Sequence, residues 1–205
     1  MLKAKITDKL PINRRMIIFL FTLFILGIMS GALFIIILKN SDKTLVKEYL
    51  EKFFSQVSTK PDLSSNIITE LLVNIGLVFM IWLLGMSIVG LPIIIFMYFY
   101  KIFIIGFSIG SILINYKFKG LLMAFIYVFP HQAINIIIYM ILTMYALSFS
   151  IKFLNCILRK KKIDFKNIMG KYYLVLVISI SFILLSTLYE IYIMPVVLNF
   201  ILKLI

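Results

Sequence analysis

Five apolar runs, at about residues 16–38, 71–89, 92–114, 121–150 and 172–194, are set off from one another by polar, mostly basic stretches and a turn. About 20 residues at 1.5 Å each cross the hydrocarbon of a bilayer, so each run is long enough to span it as a helix. The pattern predicts an all-α, polytopic transmembrane helix bundle of five spans in a single domain, residues 1–205. The run from Leu71 to Ile114 carries one formal charge, Lys101, and is about twice the length of one crossing. It has to fold back once. Gly90-Leu91-Pro92 is the predicted turn, because Pro92 lacks an N–H and disfavours a helical Leu91, while Gly90 supplies a flexible helix C-cap. A tight hairpin of 71–89 against 92–114 follows. Pro130 falls inside the run 121–150 and is expected to kink it.

The polar segments are read by their own periodicity. Within 42–57, Val46, Tyr49, Leu50, Phe53, Phe54 and Val57 recur at helical spacing, with Lys43, Lys47, Glu48, Glu51 and Lys52 opposite and Glu48 and Lys52 set as an i,i+4 pair. This amphipathic segment either lies on the membrane or caps the bundle, or else presents Tyr49, Leu50, Phe53 and Phe54 to a protein partner. Residues 152–171 hold seven cations against one acid, Asp164, the strongest cytoplasmic marker in the chain. With the N-terminus inside and the C-terminus outside, Lys and Arg divide twelve inside to eight outside, in the direction of the positive-inside rule. The first run is longer than the core of a signal peptide and lacks a convincing cleavage site, so it is expected to remain as a span.

Composition agrees: 63% of residues are hydrophobic, 14% are charged, and mean hydropathy is +1.12. The net charge of +13 would point to nucleic acid in a soluble chain. Here the cations cluster between apolar runs, where they set orientation and meet anionic headgroups, and no nucleic-acid partner is expected. A lone cysteine, Cys156, excludes an intrachain disulfide.

Ionisable residues within apolar runs are costly, and so are candidates for function: Glu70 at a rim, Lys101 and His131 near the midplane, and Glu190 near the end of the last run. Lys101 and His131 could form a proton relay, or could snorkel and hydrogen-bond within the bundle. Gly27 and Gly31, and Gly106 and Gly110, are each spaced as G-x-x-x-G, which permits close helix approach; the first pair could equally be glycines facing lipid. Gly106-Phe107-Ser108-Ile109-Gly110 also fits the G-x-S-x-G of serine hydrolases, but neither a level histidine nor an oxyanion donor accompanies it. No catalytic residue, cofactor or metal site is expected, for want of a His/Cys cluster or a phosphate loop.

Several of these stretches together resemble the stage II sporulation protein M family of endospore-forming bacteria. They are the first span with Phe24, Gly27 and Gly31; Trp82-Leu83-Leu84-Gly85, Gly90-Leu91-Pro92 and Lys101 to Gly110; Pro130-His131; and Glu190-Ile191-Tyr192-Ile193-Met194-Pro195. Asn135 stands where the wider family often has an acid, and Ile102 where a glycine is expected. The resemblance implies a non-enzymatic scaffold in the cell membrane, at the sporulation septum and the engulfing membrane. There it would recruit the peptidoglycan hydrolases called stage II sporulation proteins D and P for engulfment of the forespore. Membrane lipids and a second copy of the chain are further expected partners. The alternative is a transporter or ABC-type permease subunit using Lys101, His131 and Glu190.

Overall fold

The computed structural model describes residues 14–59, 63–123, 129–159, 165–193 and 196. Those residues form six helices and no strand: α1 (Arg14–Ile37), α2 (Asn40–Thr59), α3 (Leu63–Gly85), α4 (Gly90–Met123), α5 (Phe129–Arg159) and α6 (Phe165–Tyr192). Apolar sequence at this length favours helix in a membrane, because a helix satisfies every backbone N–H and C=O within its own segment. Among the described residues four segments are long and apolar enough to cross: Arg14–Ile37, Gly90–Lys117, Pro130–Leu158 and Lys166–Tyr189. The apolar part of α3, Leu71–Gly85, is shorter.

α4 packs most extensively on α1, and the two helices run parallel. Leu20 of α1 meets Tyr98 of α4, whose hydroxyl donates to the Leu20 carbonyl at 3.5 Å. Further along, Gly27 lies on Ile102, and Ala32 on Gly110. α3 packs on α5 and α6, and the antiparallel pair α5 and α6 forms the other half of the bundle. The aromatic junction of this half is Tyr172, stacked on Phe149 at 4.6 Å and on Trp82 at 5.6 Å. Its hydroxyl donates to the Trp82 carbonyl at 2.7 Å. Gly85 makes room for that hydroxyl, since a Cβ there would collide with Tyr172 and press on Ala146.

Local expectations shift at three places. The turn between α3 and α4 is Met86–Val89 and not Gly90–Pro92. α3 closes at Gly85 with short i→i+3 bonds, from Met86 N to Leu83 O and from Ser87 N to Leu84 O. Gly90 begins α4 and is no C-cap; Pro92 lies in its first turn, where a missing N–H removes no helical bond. α3 and α4 are chain neighbours, but the principal partner of α4 is α1, so the expected tight hairpin is not the main contact. Pro130 likewise opens α5 and does not kink the middle of a span. The sequence reading placed it mid-span because the residues before it are apolar. α4 is itself interrupted at Lys117, whose φ of 50° and ψ of −127° leave the helical region.

α2 folds back along the far end of the bundle. Lys43 Nζ caps the C-terminus of α1 by donating to Ile36 O at 2.9 Å. The i,i+4 ion pair formed on α2 is Lys47–Glu51 at 3.7 Å, one position before the expected pair.

Candidate functional site

Three helices converge on a polar cluster inside the apolar bundle. Asn74 of α3 is buried, and its Oδ1 accepts two hydrogen bonds, one from Lys101 Nζ of α4 at 3.1 Å and one from the Tyr139 hydroxyl of α5 at 3.1 Å. The Lys101 ammonium also stands 5.6 Å from the centroid of the Tyr139 ring. Within the segment Gly90–Lys117, Lys101 is about 17 Å of helix from the first residue and about 24 Å from the last, so it is well inside the span. A lysine at the centre of a bilayer costs about 2.5–3.5 kcal/mol on insertion scales. An acceptor and an aromatic face offset part of this, and the ammonium becomes a link between three helices.

α5 carries the polar groups onward. Gln132, Asn135, Tyr139 and Thr143 fall at spacings of three and four, along one face. Gln132 Oε1, Asn135 Oδ1 and Thr143 Oγ1 are buried without a hydrogen-bond partner among the described residues, as is Ser111 Oγ on α4. His131 is 2% exposed and lies in the first turn of α5, not near the midplane; its carbonyl accepts from Ser186 Oγ of α6 at 3.2 Å. The eight residues from His131 to Tyr139 measure about 12 Å, so the structure separates His131 from the Lys101 cluster.

The glycines of the two G-x-x-x-G stretches meet each other's helices. A Cβ on Gly31 would come within 2.8 Å of Phe107 N, one on Gly106 within 2.8 Å of Ile28 Cα, and one on Gly110 within 2.8 Å of Ala32 Cα. Gly27 faces Ile102 at the same closeness. Of the two readings open for Gly27 and Gly31, close helix packing is the one observed. Ile102, where a glycine was expected, is the side chain that fills the recess above Gly27. Ser108 is turned elsewhere, and its hydroxyl donates to Ile104 O of its own helix at 3.0 Å. The G-x-S-x-G pattern is thus the small-residue face of α4 against α1.

On α2 the expected docking face divides. Leu50 is buried in the chain's own fold, so it is not available to a partner, whereas Tyr49 is 70% exposed. The side chains of Phe53, Phe54, Glu70 and Glu190, and the whole of Pro195, lie outside the described residues. Among the described residues no group of three or more His, Cys, Asp or Glu side chains could hold a metal ion.

The sequence reading missed Asn74 and Tyr139. Both residues are neutral, whereas a charged or readily charged side chain is what marks Lys101, His131, Glu70 and Glu190 within the apolar runs. The spacing of Gln132, Asn135, Tyr139 and Thr143 was a usable signal, as was an asparagine within the apolar run of α3. One family model, Stage II sporulation protein M, matches residues 20–195. No curated protein and no solved structure matches the chain.

Proposed function

The chain belongs to the stage II sporulation protein M family, and from this premise we propose that it is a non-enzymatic scaffold of the sporulation septum. In this reading it holds the peptidoglycan hydrolases called stage II sporulation proteins D and P at the engulfing membrane, and those proteins supply the chemistry. The observation that carries the reading is α2, an amphipathic helix outside the long apolar segments that keeps Leu50 for its own fold and leaves Tyr49 exposed. A hydrophobic residue at the edge of a charged helix, on an otherwise anchored element, is suited to docking a partner. The bonding of Ser108 to its own helix also supports a structural and not a nucleophilic role.

The topology goes with this function. In this reading α3 returns the chain across the membrane between α1 and α4, and the parallel packing of those two helices supports it. The proposal has five crossings, with α2 and the C-terminus on the outer side facing the wall and the N-terminus and the basic segment 152–171 inside, and the distribution of cations supports it. Affinity capture from sporulating cells followed by mass spectrometry tests the scaffold: recovery of proteins D and P is the expected result. A second reading, a permease subunit, is favoured by Lys101 and by the buried oxygens of α5 that have no partner among the described residues. Recovery of an ATPase in place of the hydrolases would select it.

A further inference from the structure

Between α5 and α6, on the outer face of the bundle, runs a groove of about 440 Å³. Ile134, Ile137 and Ile141 form one wall and Leu174, Ile178 and Phe182 the other, with Tyr145 at the end nearer the basic segment. Both walls belong to segments long and apolar enough to cross a membrane, Pro130–Leu158 and Lys166–Tyr189. From Ile134 to Tyr145 the α5 wall measures about 16 Å, half of a hydrocarbon core of about 30 Å and so the depth of one leaflet.

We infer that this groove binds one acyl chain of an anionic phospholipid, with the phosphate at Lys171. Two observations choose a lipid chain over a helix. Where described helices of this protein approach closely, glycines make the room: Gly27, Gly31, Gly106 and Gly110 between α1 and α4, and Gly85 where α3 meets α5. The groove offers nothing comparable: of its lining residues Ser179 alone is small, and the branched and aromatic walls keep a helix backbone at a distance. A single flexible hydrocarbon chain fits between such walls and makes dispersion contacts along their length.

The charge is the second observation. Lys171 is exposed and precedes Leu174, Val175 and Ile178 by three, four and seven residues, which puts it on the groove's face of α6, one turn beyond its end. Lys152 follows Tyr145 by seven residues, on the matching face of α5. Two cations on the two walls, at one end of an apolar channel, match a headgroup carrying a phosphate without a neutralising amine. Tyr145, at that end of the groove, sits where an amphipathic ring is favoured, at the passage from apolar to polar surroundings.

Native mass spectrometry of the full chain, in micelles holding equal phosphatidylglycerol and phosphatidylcholine of matched chains, tests the site. One phosphatidylglycerol is expected to stay bound. Lys171→Glu should lower the preference for phosphatidylglycerol roughly five-fold per unit of charge changed, and Ile178→Trp should remove retention of both lipids. Leu26→Trp, on the exposed face of α1, should change neither. A photoreactive phosphatidylglycerol with its diazirine in mid-chain supplies a readout on the unaltered protein, and its adducts should concentrate on residues 134–145 and 174–182. Adducts spread evenly over exposed positions of α1, or full retention by Ile178→Trp, would overturn the proposal. So would efficient disulfide dimerisation of Ile178→Cys in membranes, because the occupant would then be a second copy.

Discussion

Lys101 gives its ammonium to the amide oxygen of Asn74, 3.1 Å away, across the interface between α4 and α3. The same oxygen accepts the Tyr139 hydroxyl, so a single atom ties three helices together. Asn74→Leu removes both bonds at once, for which a loss of roughly 1–3 kcal/mol is expected. Tyr139→Phe removes one bond and should cost about 0.6 kcal/mol, the usual value for a hydrogen bond between helices in a membrane. Because the acceptor is shared, Tyr139→Phe should cost less once Asn74 is leucine than it does in the unaltered protein. Thermal unfolding in micelles, followed by the fluorescence of the single tryptophan, Trp82, measures the cycle. Strictly additive losses would show that Tyr139 and Asn74 are not coupled.

The seam between α1 and α4 makes a prediction with an internal control. Gly106→Val places a branched side chain against the backbone of Ile28 and should force the two helices apart, lowering both the unfolding temperature and the amount of protein in the membrane. Nothing lies within 4 Å of a Cβ built on Gly76 or Gly170. Alanine at either of those positions should be neutral or stabilising by up to about 1 kcal/mol, through helix propensity. Equal losses at Gly106, Gly76 and Gly170 would mean that glycine flexibility, and not close approach, matters at the seam.

How far the sequence discloses this arrangement depends on the distance over which each feature is encoded. The long apolar segments are local, and their helices follow from counting residues. The close packing at Gly31 and Gly106 is nearly as legible, since G-x-x-x-G states a capacity for approach, although only the fold shows that the two stretches meet each other's helices. Pro130 misleads because apolar residues precede it, so a helix start reads as a kink. The pairing of Asn74 with residues 27 and 65 positions away has no local signal at all. It depends on α3 and α5 lying side by side, which no spacing within either helix dictates.

Ser108 separates a scaffold from an enzyme. Its hydroxyl bonds to the Ile104 carbonyl of its own helix, a contact that serves the backbone and adds little to stability. Ser108→Ala should therefore leave wall remodelling and engulfment near normal. Loss of engulfment by an alanine variant that still accumulates in the membrane would point instead to a nucleophile.

The direction of the five proposed crossings can be read by thiol labelling in a Cys156→Ser background. Ser55→Cys on α2 should react with a membrane-impermeant maleimide in intact cells, and Lys166→Cys at the start of α6 only after the membrane is opened. The reverse pattern would invert the orientation and place α2 in the cytoplasm, away from any wall hydrolase.

Tyr49 and Leu50 are adjacent on α2, yet they should fail in different ways. Leu50 is turned into the bundle, so Leu50→Asp buries a charge against α4 and should reduce the protein's abundance in the membrane. Tyr49 is 70% exposed and contributes little to the fold, so Tyr49→Ala should leave abundance and unfolding temperature unchanged. If α2 docks a hydrolase, the ring is the kind of side chain that carries binding energy. Tyrosine contributes large apolar area with few rotatable bonds, and truncating such an anchor commonly costs 2 kcal/mol or more, about thirty-fold in affinity. Capture of the hydrolases by Tyr49→Ala should then fall by at least ten-fold, with normal membrane levels of the variant. Quantitative blotting alongside capture separates the two effects. Undiminished capture by Tyr49→Ala would remove α2 as the docking element and leave it the task of covering the end of α4.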